Sequence, residues 1–130
     1  MGNRRRERPV NALAVSVGAA LGALTRWQAG LLFNTRWAGF PLGTLLVNLV
    51  GGLLIGMALE WLGRHPNELL KLLLVTGFLG GLTTFSAFSG ESLALLRHGE
   101  LGMAAAHTLA HVLGALFAAW LGMRLAQALI

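Results

Sequence analysis

The stretch TGFLGGLTTFSAFSGE, residues 76–91, sets the architecture expected of this chain, because it places helix-weakening residues inside an otherwise apolar segment. Each of its three central glycines costs a helix about 1 kcal/mol relative to alanine, and the β-branched Thr83 and Thr84 follow directly. A helix opened against lipid would leave backbone carbonyls without partners. The stretch is therefore expected to face protein, water or an ion. It is either a broken helix whose carbonyls bind a cation or a continuous helix with a glycine-rich packing face.

Apolar stretches without Asp, Glu, Lys or Arg surround this segment, at residues 37–59, 72–90 and 101–123. Each is long enough to cross a bilayer, which takes about 20 apolar residues in a helix. A shorter stretch, residues 9–25, ends at Arg26, whose long side chain can reach the headgroups. A signal peptide is the competing interpretation of this first stretch, but three more apolar segments follow it.

We therefore predict an all-α integral membrane protein with four transmembrane helices per chain and a third helix broken near the bilayer midplane. The predicted spans are about 10–33, 40–62, 69–96 and 101–126, within a single membrane domain over residues 1–130 that carries a basic N-terminal tail, residues 1–9.

The composition agrees with this class. Of 130 residues, 55% are hydrophobic and 12% are charged, and there are 18 glycines, whereas soluble domains carry roughly 25% charged residues. The chain has no cysteine, which excludes disulfides and thiolate metal sites. Its net charge of +5 is concentrated in the N-terminal tail, so we expect it to meet anionic lipid and predict no nucleic-acid partner.

Lys and Arg near the spans give a weak orientation signal. With four spans, the N-terminus, second loop and C-terminus share one side and carry Arg4, Arg5, Arg6, Arg8, Arg64, Lys71 and Arg124, against Arg26, Arg36 and Arg97 on the other. Without the N-terminal cluster the two sides are equal. The body of the protein is therefore compatible with insertion in both orientations, unless the N-terminal arginines force one of them.

A few polar and aromatic residues inside the spans are candidates for function. Asn48 lies near the middle of the second span with Thr44 one turn earlier, and its carboxamide suits either an interhelical hydrogen bond or an anion. Phe85 and Phe88 share a helical face. Aromatic ring edges attract anions, although most membrane phenylalanines face lipid.

Three segments together resemble the signatures of the Fluc (CrcB) family of fluoride channels. They are GALTRW at residues 22–27, GTLLVN at residues 43–48 and the stretch at residues 76–91. The third signature is highly specific, with a glycine pair, a threonine pair and then Phe-Ser-x-Phe-Ser. The resemblance covers the whole four-span topology.

The resemblance implies an antiparallel, dual-topology homodimer in the cell (plasma or inner) membrane that conducts fluoride passively out of the cytoplasm. It implies a structural sodium ion on the dimer axis, bound by the backbone carbonyls of Gly80 and Thr83 from both copies. By position, the fluoride pathway would comprise Asn48, Phe85, Phe88, Thr44, Ser86 and Ser89, with Arg26 at a vestibule.

The chain also departs from the family pattern. Ala87 stands where many relatives carry a hydroxyl residue. The polar track to which Ser86 and Ser89 belong would therefore have one hydroxyl group fewer here. His107 and His111 stand where tyrosine and serine are expected. Their spacing puts both imidazoles on one helical face, where they can bind zinc, donate to an anion or hydrogen-bond across the dimer.

Other functional classes fit the sequence less well. A proton-coupled small multidrug transporter is the main alternative, since it shares the four-helix, dual-topology architecture, but it needs a carboxylate deep in a span, whereas Glu60 and Glu91 lie near span ends. We predict no enzyme activity. A metalloenzyme based on the two histidines lacks an evident third ligand in the sequence, and a scaffold leaves the weakened third span without a purpose.

Overall fold

The computed structural model describes residues 2–34 and 39–130, with side chains from Glu7 onward. Regular structure in this part of the chain is entirely helical. The helices are α1 (Gly2–Phe33), α2 (Leu42–Arg64), α3 (Glu68–Lys71), a π-helical segment (Leu72–Leu79), α4 (Gly80–Leu82), α5 (Phe85–Arg97) and α6 (Leu101–Leu129). Arg36, counted in the orientation argument, lies outside the described residues, as do the side chains of Arg4, Arg5 and Arg6.

Four helical stretches of the described chain are long and apolar enough to cross a membrane: Glu7–Phe33, Leu42–Arg64, Glu68–Arg97 and Leu101–Leu129. We refer to them as the first to fourth spans. Many large apolar side chains on them are exposed on the single chain, including Leu13, Leu24, Leu113 and Leu116. Such a surface suits lipid or a further protein copy. The prediction of an all-helical, multi-span membrane protein is confirmed.

The third span has the most irregular backbone. It enters through a π-helical segment, Leu72–Leu79, and returns to α-helix at Gly80–Leu82. Thr83 and Thr84 then adopt extended conformations, with φ and ψ of −83° and 155° at Thr83 and −148° and 117° at Thr84. α5 begins at the next residue, Phe85. The glycine-rich and threonine-rich stretch is therefore the place where this span departs from regular α-helix.

Glycines let the backbones of the first and third spans touch. A side chain on Gly22 would collide with the Phe78 carbonyl, and one on Gly81 with the Ala19 carbonyl. The second and fourth spans meet in the same way, with Gly56 against the Ala119 backbone. Glycine at these positions therefore serves close packing of the helices.

A tight turn joins the third and fourth spans. Gly99 has a φ of 74°, and its N–H donates to the Leu96 carbonyl while that of Glu100 donates to the Leu95 carbonyl. This paired pattern is a Schellman motif, which ends α5 and reverses the chain. The turn brings α5 and α6 side by side, so that side chains after the extended threonines lie against those of the fourth span.

Candidate functional site

A cavity of about 630 Å³ lies beside the extended threonines and opens on one face of the chain. Its lining draws on the second, third and fourth spans and includes Asn48, Gly80, Thr83, Thr84, Phe85, Phe88 and His111. No Lys, Arg, Asp or Glu lines it among the residues that the structure describes. The cavity thus combines apolar walls, aromatic rings and a few polar groups, as ligand sites commonly do.

Asn48 holds the extended backbone in place. Its Oδ1 accepts from the Thr84 N–H at 2.8 Å, and its Nδ2 donates to the Thr84 carbonyl at 3.0 Å. Nδ2 also lies 3.0 Å from Nδ1 of His111 on the fourth span. One carboxamide therefore pairs with both backbone groups of Thr84 and links three spans.

Two carbonyls beside the cavity have lost their usual helical donors. In a continuous α-helix the Gly80 carbonyl would accept from the Thr84 N–H, but that N–H donates to Asn48. The Thr83 carbonyl would accept from the Ala87 N–H, which donates instead to Thr84 Oγ1 at 3.1 Å. These neutral oxygens are chemically suited to a hard cation such as sodium, and they belong to the two residues for which the family resemblance implies that role.

The two phenylalanines occupy different environments. Their ring centroids are 5.4 Å apart, as expected for neighbours on one helical face. Phe85 is 78% exposed on the single chain, whereas Phe88 is 8% exposed and packs against two imidazoles. The centroid of Phe88 is 5.6 Å from that of His107 and 4.8 Å from that of His111.

A second polar network lies next to the cavity. Thr44 donates to Glu91 Oε1 at 2.5 Å, and Glu91 Oε2 lies 3.0 Å from His107 Nε2. The other ring nitrogen of His107 lies 2.8 Å from the hydroxyl of Ser92, which is 3.2 Å from that of Thr108. Sequence reasoning did not select Ser92 or Thr108. In the sequence they are no more than a hydroxyl residue on each of two neighbouring spans, and such residues are too common in membrane helices to indicate a contact.

The three remaining candidates each make a hydrogen bond to the third span or within it. Arg26 donates from Nε to the Gly81 carbonyl at 2.9 Å, so it reaches the irregular part of the third span. Ser86 and Ser89 are exposed on the single chain. The Ser86 hydroxyl lies 3.2 Å from Thr84 Oγ1, and the Ser89 hydroxyl donates to the Phe85 carbonyl at 2.8 Å.

The two glutamates near span ends are paired. Glu60 forms an ion pair with Arg64 at 2.8 Å. Glu91 lies close to His107 and His111: one carboxylate oxygen and one ring nitrogen of each histidine are all within 4.8 Å of one another. The expectation that the histidines lack a third ligand is therefore wrong, because the turn at Gly99 folds Glu91 back against α6.

These features define a multi-pass helical membrane protein. Three of its spans line a cavity that opens on one face, and none of the described lining residues is Lys, Arg, Asp or Glu. Residues 13–123 match the family of CrcB-like proteins, described as Camphor Resistance (CrcB). The chain belongs to this family.

Individual relatives are similar over nearly their whole length. A protein of Aromatoleum aromaticum named fluoride-specific ion channel FluC is 55% identical over 112 residues, covering 85% of this chain and 86% of the relative. A protein of the same name from Bordetella petrii is 50% identical over 123 residues, covering 93% and 94%. One from Pseudomonas aeruginosa is 50% identical over 113 residues, covering 85% and 89%. These relatives are named as ion channels and not as enzymes or multidrug transporters, so the transporter alternative is not favoured.

Proposed function

We propose that this protein is a fluoride-selective channel that conducts passively and lowers cytoplasmic fluoride by efflux across the cell membrane. The observation that carries the proposal is the cavity, where the phenylalanine rings, a carboxamide and an imidazole meet without a fixed charge among the described lining residues. The names of the relatives support fluoride as the ion.

The chemistry of the lining suits a small, strongly hydrated anion. Hydrogen-bond donors and the positive ring edges of Phe85 and Phe88 replace part of the water that fluoride loses on entry. A lysine or arginine in the path would hold the anion too firmly for rapid exit. Donors without a full positive charge allow both binding and release.

The channel is proposed to be an antiparallel homodimer with the interruption at Thr83 and Thr84 near the bilayer midplane. The cavity opens on one face of the chain, and the exposed Phe85 lies on its wall, so a second copy is needed to close it against lipid. A twofold interface brings the same face of both copies together.

A structural sodium ion is proposed on the axis of this dimer. The carbonyls of Gly80 and Thr83 would hold it, since both are deprived of their helical donors in this structure. Two oxygens from one chain are too few for a cation, and the same pair from the second copy completes the set. The ion would satisfy backbone groups that lipid cannot.

Fluoride efflux from liposomes tests the proposal directly. Purified protein is reconstituted with internal potassium fluoride, valinomycin carries the potassium countercurrent, and a fluoride electrode records release. We expect rapid fluoride release and none of chloride. Phe88→Ile and Phe85→Ile should each reduce the flux by about tenfold or more, because they remove ring edges worth about one hydrogen bond to the ion.

Phe117→Ile is the matched control. Phe117 is 61% exposed on the fourth span and does not line the cavity, so its replacement should leave the flux unchanged. Size-exclusion chromatography of each variant shows whether the assembly survives. Absence of fluoride release from the wild-type protein would refute the proposed function, and normal release in both cavity variants would remove the aromatic pathway.

A further inference from the structure

Asn48 has no N–H left to offer an ion in this structure. One hydrogen of Nδ2 goes to the Thr84 carbonyl and the other points to His111 Nδ1, each at 3.0 Å. Oδ1 is taken by the Thr84 N–H, which also fixes which end of the amide is nitrogen. A direct contact between the Asn48 carboxamide and fluoride would require breaking one of these bonds.

This bonding determines the tautomer of His111. Because Nδ2 of Asn48 is a donor, the Nδ1 of His111 that faces it must be an acceptor. A neutral imidazole with an unprotonated Nδ1 carries its hydrogen on Nε2. The hydrogen bonds between Thr84, Asn48 and Nδ1 of His111 therefore determine that the imidazole hydrogen is on Nε2, the ring nitrogen that does not face Asn48.

That N–H has no partner within the described chain. The His111 side chain is only 4% exposed, and its Nε2 is a buried polar atom with no hydrogen bond. A buried donor left unpaired costs about 1–3 kcal/mol, so its persistence needs a reason. His111 lines the cavity beside Phe88, where an anion would supply the missing acceptor.

We propose that His111 is the residue that donates to fluoride in this cavity, through Nε2–H, and that Asn48 is a positioning residue that sets its tautomer. The inference rests on the proposed function and assigns the direct donor to the fourth span. A carboxylate oxygen of Glu91 lies within 4.8 Å of a ring nitrogen of His111. Its negative charge repels the anion and so opposes tight binding. This repulsion favours release, as conduction requires.

A metal ion is the competing occupant of the Glu91, His107 and His111 cluster. A metal at His111 Nε2 would need that nitrogen unprotonated, with the hydrogen on Nδ1. The Nδ1 hydrogen would then face the NH₂ group of Asn48, placing two donors 3.0 Å apart. The tautomer that the structure assigns therefore disfavours a metal and favours an anion.

Two substitutions of His111 distinguish the role of its Nε2 from that of its Nδ1. In His111→Gln the amide nitrogen takes the approximate place of Nε2, whereas in His111→Asn the shorter side chain reaches only the Nδ1 position. We expect His111→Asn and His111→Phe to lower fluoride flux by about tenfold or more, the loss expected for one hydrogen bond to a charged partner. His111→Gln should retain most of the flux. His98→Gln, an exposed histidine at the end of α5, is the control and should match wild type.

Nitrogen-15 NMR of histidine-labelled wild-type protein tests the tautomer without any substitution in the measured sample. His111 is assigned by the signal missing from His111→Gln. We expect the Nε2-protonated form, with a shift of its N–H resonance and a coupling to ¹⁹F when sodium fluoride is added, and no change with sodium chloride. Asn48→Asp removes the donor to Nδ1 and should convert His111 to the Nδ1-protonated form.

The outcomes separate this inference from the proposed function. If wild type conducts fluoride and His111→Phe conducts equally well, the channel stands and His111 is not its donor. An Nδ1-protonated His111 in wild type would also overturn the inference. So would zinc chloride blocking the flux of wild type but not of His111→Gln, because the cluster would then be a metal site. If wild type conducts no fluoride, the proposed function fails first.

Discussion

Thr84 pairs all its polar groups although its extended backbone lies outside the helical hydrogen-bond ladder. Its N–H and carbonyl pair with Asn48, and its hydroxyl oxygen accepts from the Ala87 N–H at the start of α5. The residue is 9% exposed, so water cannot replace these partners. Loss of the hydroxyl alone should therefore weaken the start of α5.

Thr84→Val tests this at constant side-chain shape. The valine keeps the extended conformation but leaves the Ala87 N–H without its capping acceptor, and loss of a cap costs about 1 kcal/mol. We expect lower resistance of the detergent-solubilised protein to thermal unfolding, followed by loss of the dimer on size exclusion. Thr25→Val is the control, since the Thr25 hydroxyl is exposed and bonds only to Leu21 of its own helix. Equal stability of the two variants would count against a capping role.

At the scale of helices, contact between backbones determines which spans are neighbours. Gly56 on α2 touches the backbone at Ala119 on α6, whereas Gly63 on the same helix has open space where a side chain would project. Helix propensity favours alanine at both positions, so only packing distinguishes them.

Replacement by alanine should therefore destabilise the protein at Gly56 but not at Gly63. Gly56→Ala must push α2 away from α6 and is expected to destabilise the protein by about 1–3 kcal/mol, in the range of overpacked cores. Gly63→Ala should be neutral or stabilise by a few tenths of a kcal/mol because it lies near the helix end. Unfolding in mixed micelles with increasing dodecyl sulfate measures both. A stable Gly56→Ala protein would show that α2 and α6 are not in close contact in the membrane.

For the whole molecule, the sodium proposal predicts that the ion contributes to assembly and is not transported. Exchange of sodium for N-methylglucamine should lower dimer stability, because the carbonyls of Gly80 and Thr83 lose the cation that satisfies them. Dimer fraction against sodium concentration, measured by fluorescence energy transfer between labelled copies, provides the readout. Potassium serves as a second cation of the same charge. A dimer indifferent to removal of sodium at equilibrium would argue against an axial site.

Dual topology is a second prediction at this scale. The chain contains no cysteine, so single cysteines report orientation without background. His65→Cys in the second loop and His98→Cys in the third lie on opposite sides of the membrane in a four-span chain. With both orientations present, a membrane-impermeant maleimide should label about half of each variant from outside intact cells. Complete labelling of one variant and none of the other would mean that the N-terminal arginines impose one orientation.

The amino-acid sequence was enough to predict the membrane class, the helical spans and the irregular third helix region as a place of interest, because hydropathy, glycine and charge act locally along the chain. The tertiary structure alone decided which polar groups are partners. Asn48 and His111 are 63 positions apart, and Glu91 and His107 are 16 apart across a tight turn. Such pairs arise from the packing of whole helices, and a hydrogen bond with a range of a few ångströms leaves no periodic pattern in the sequence.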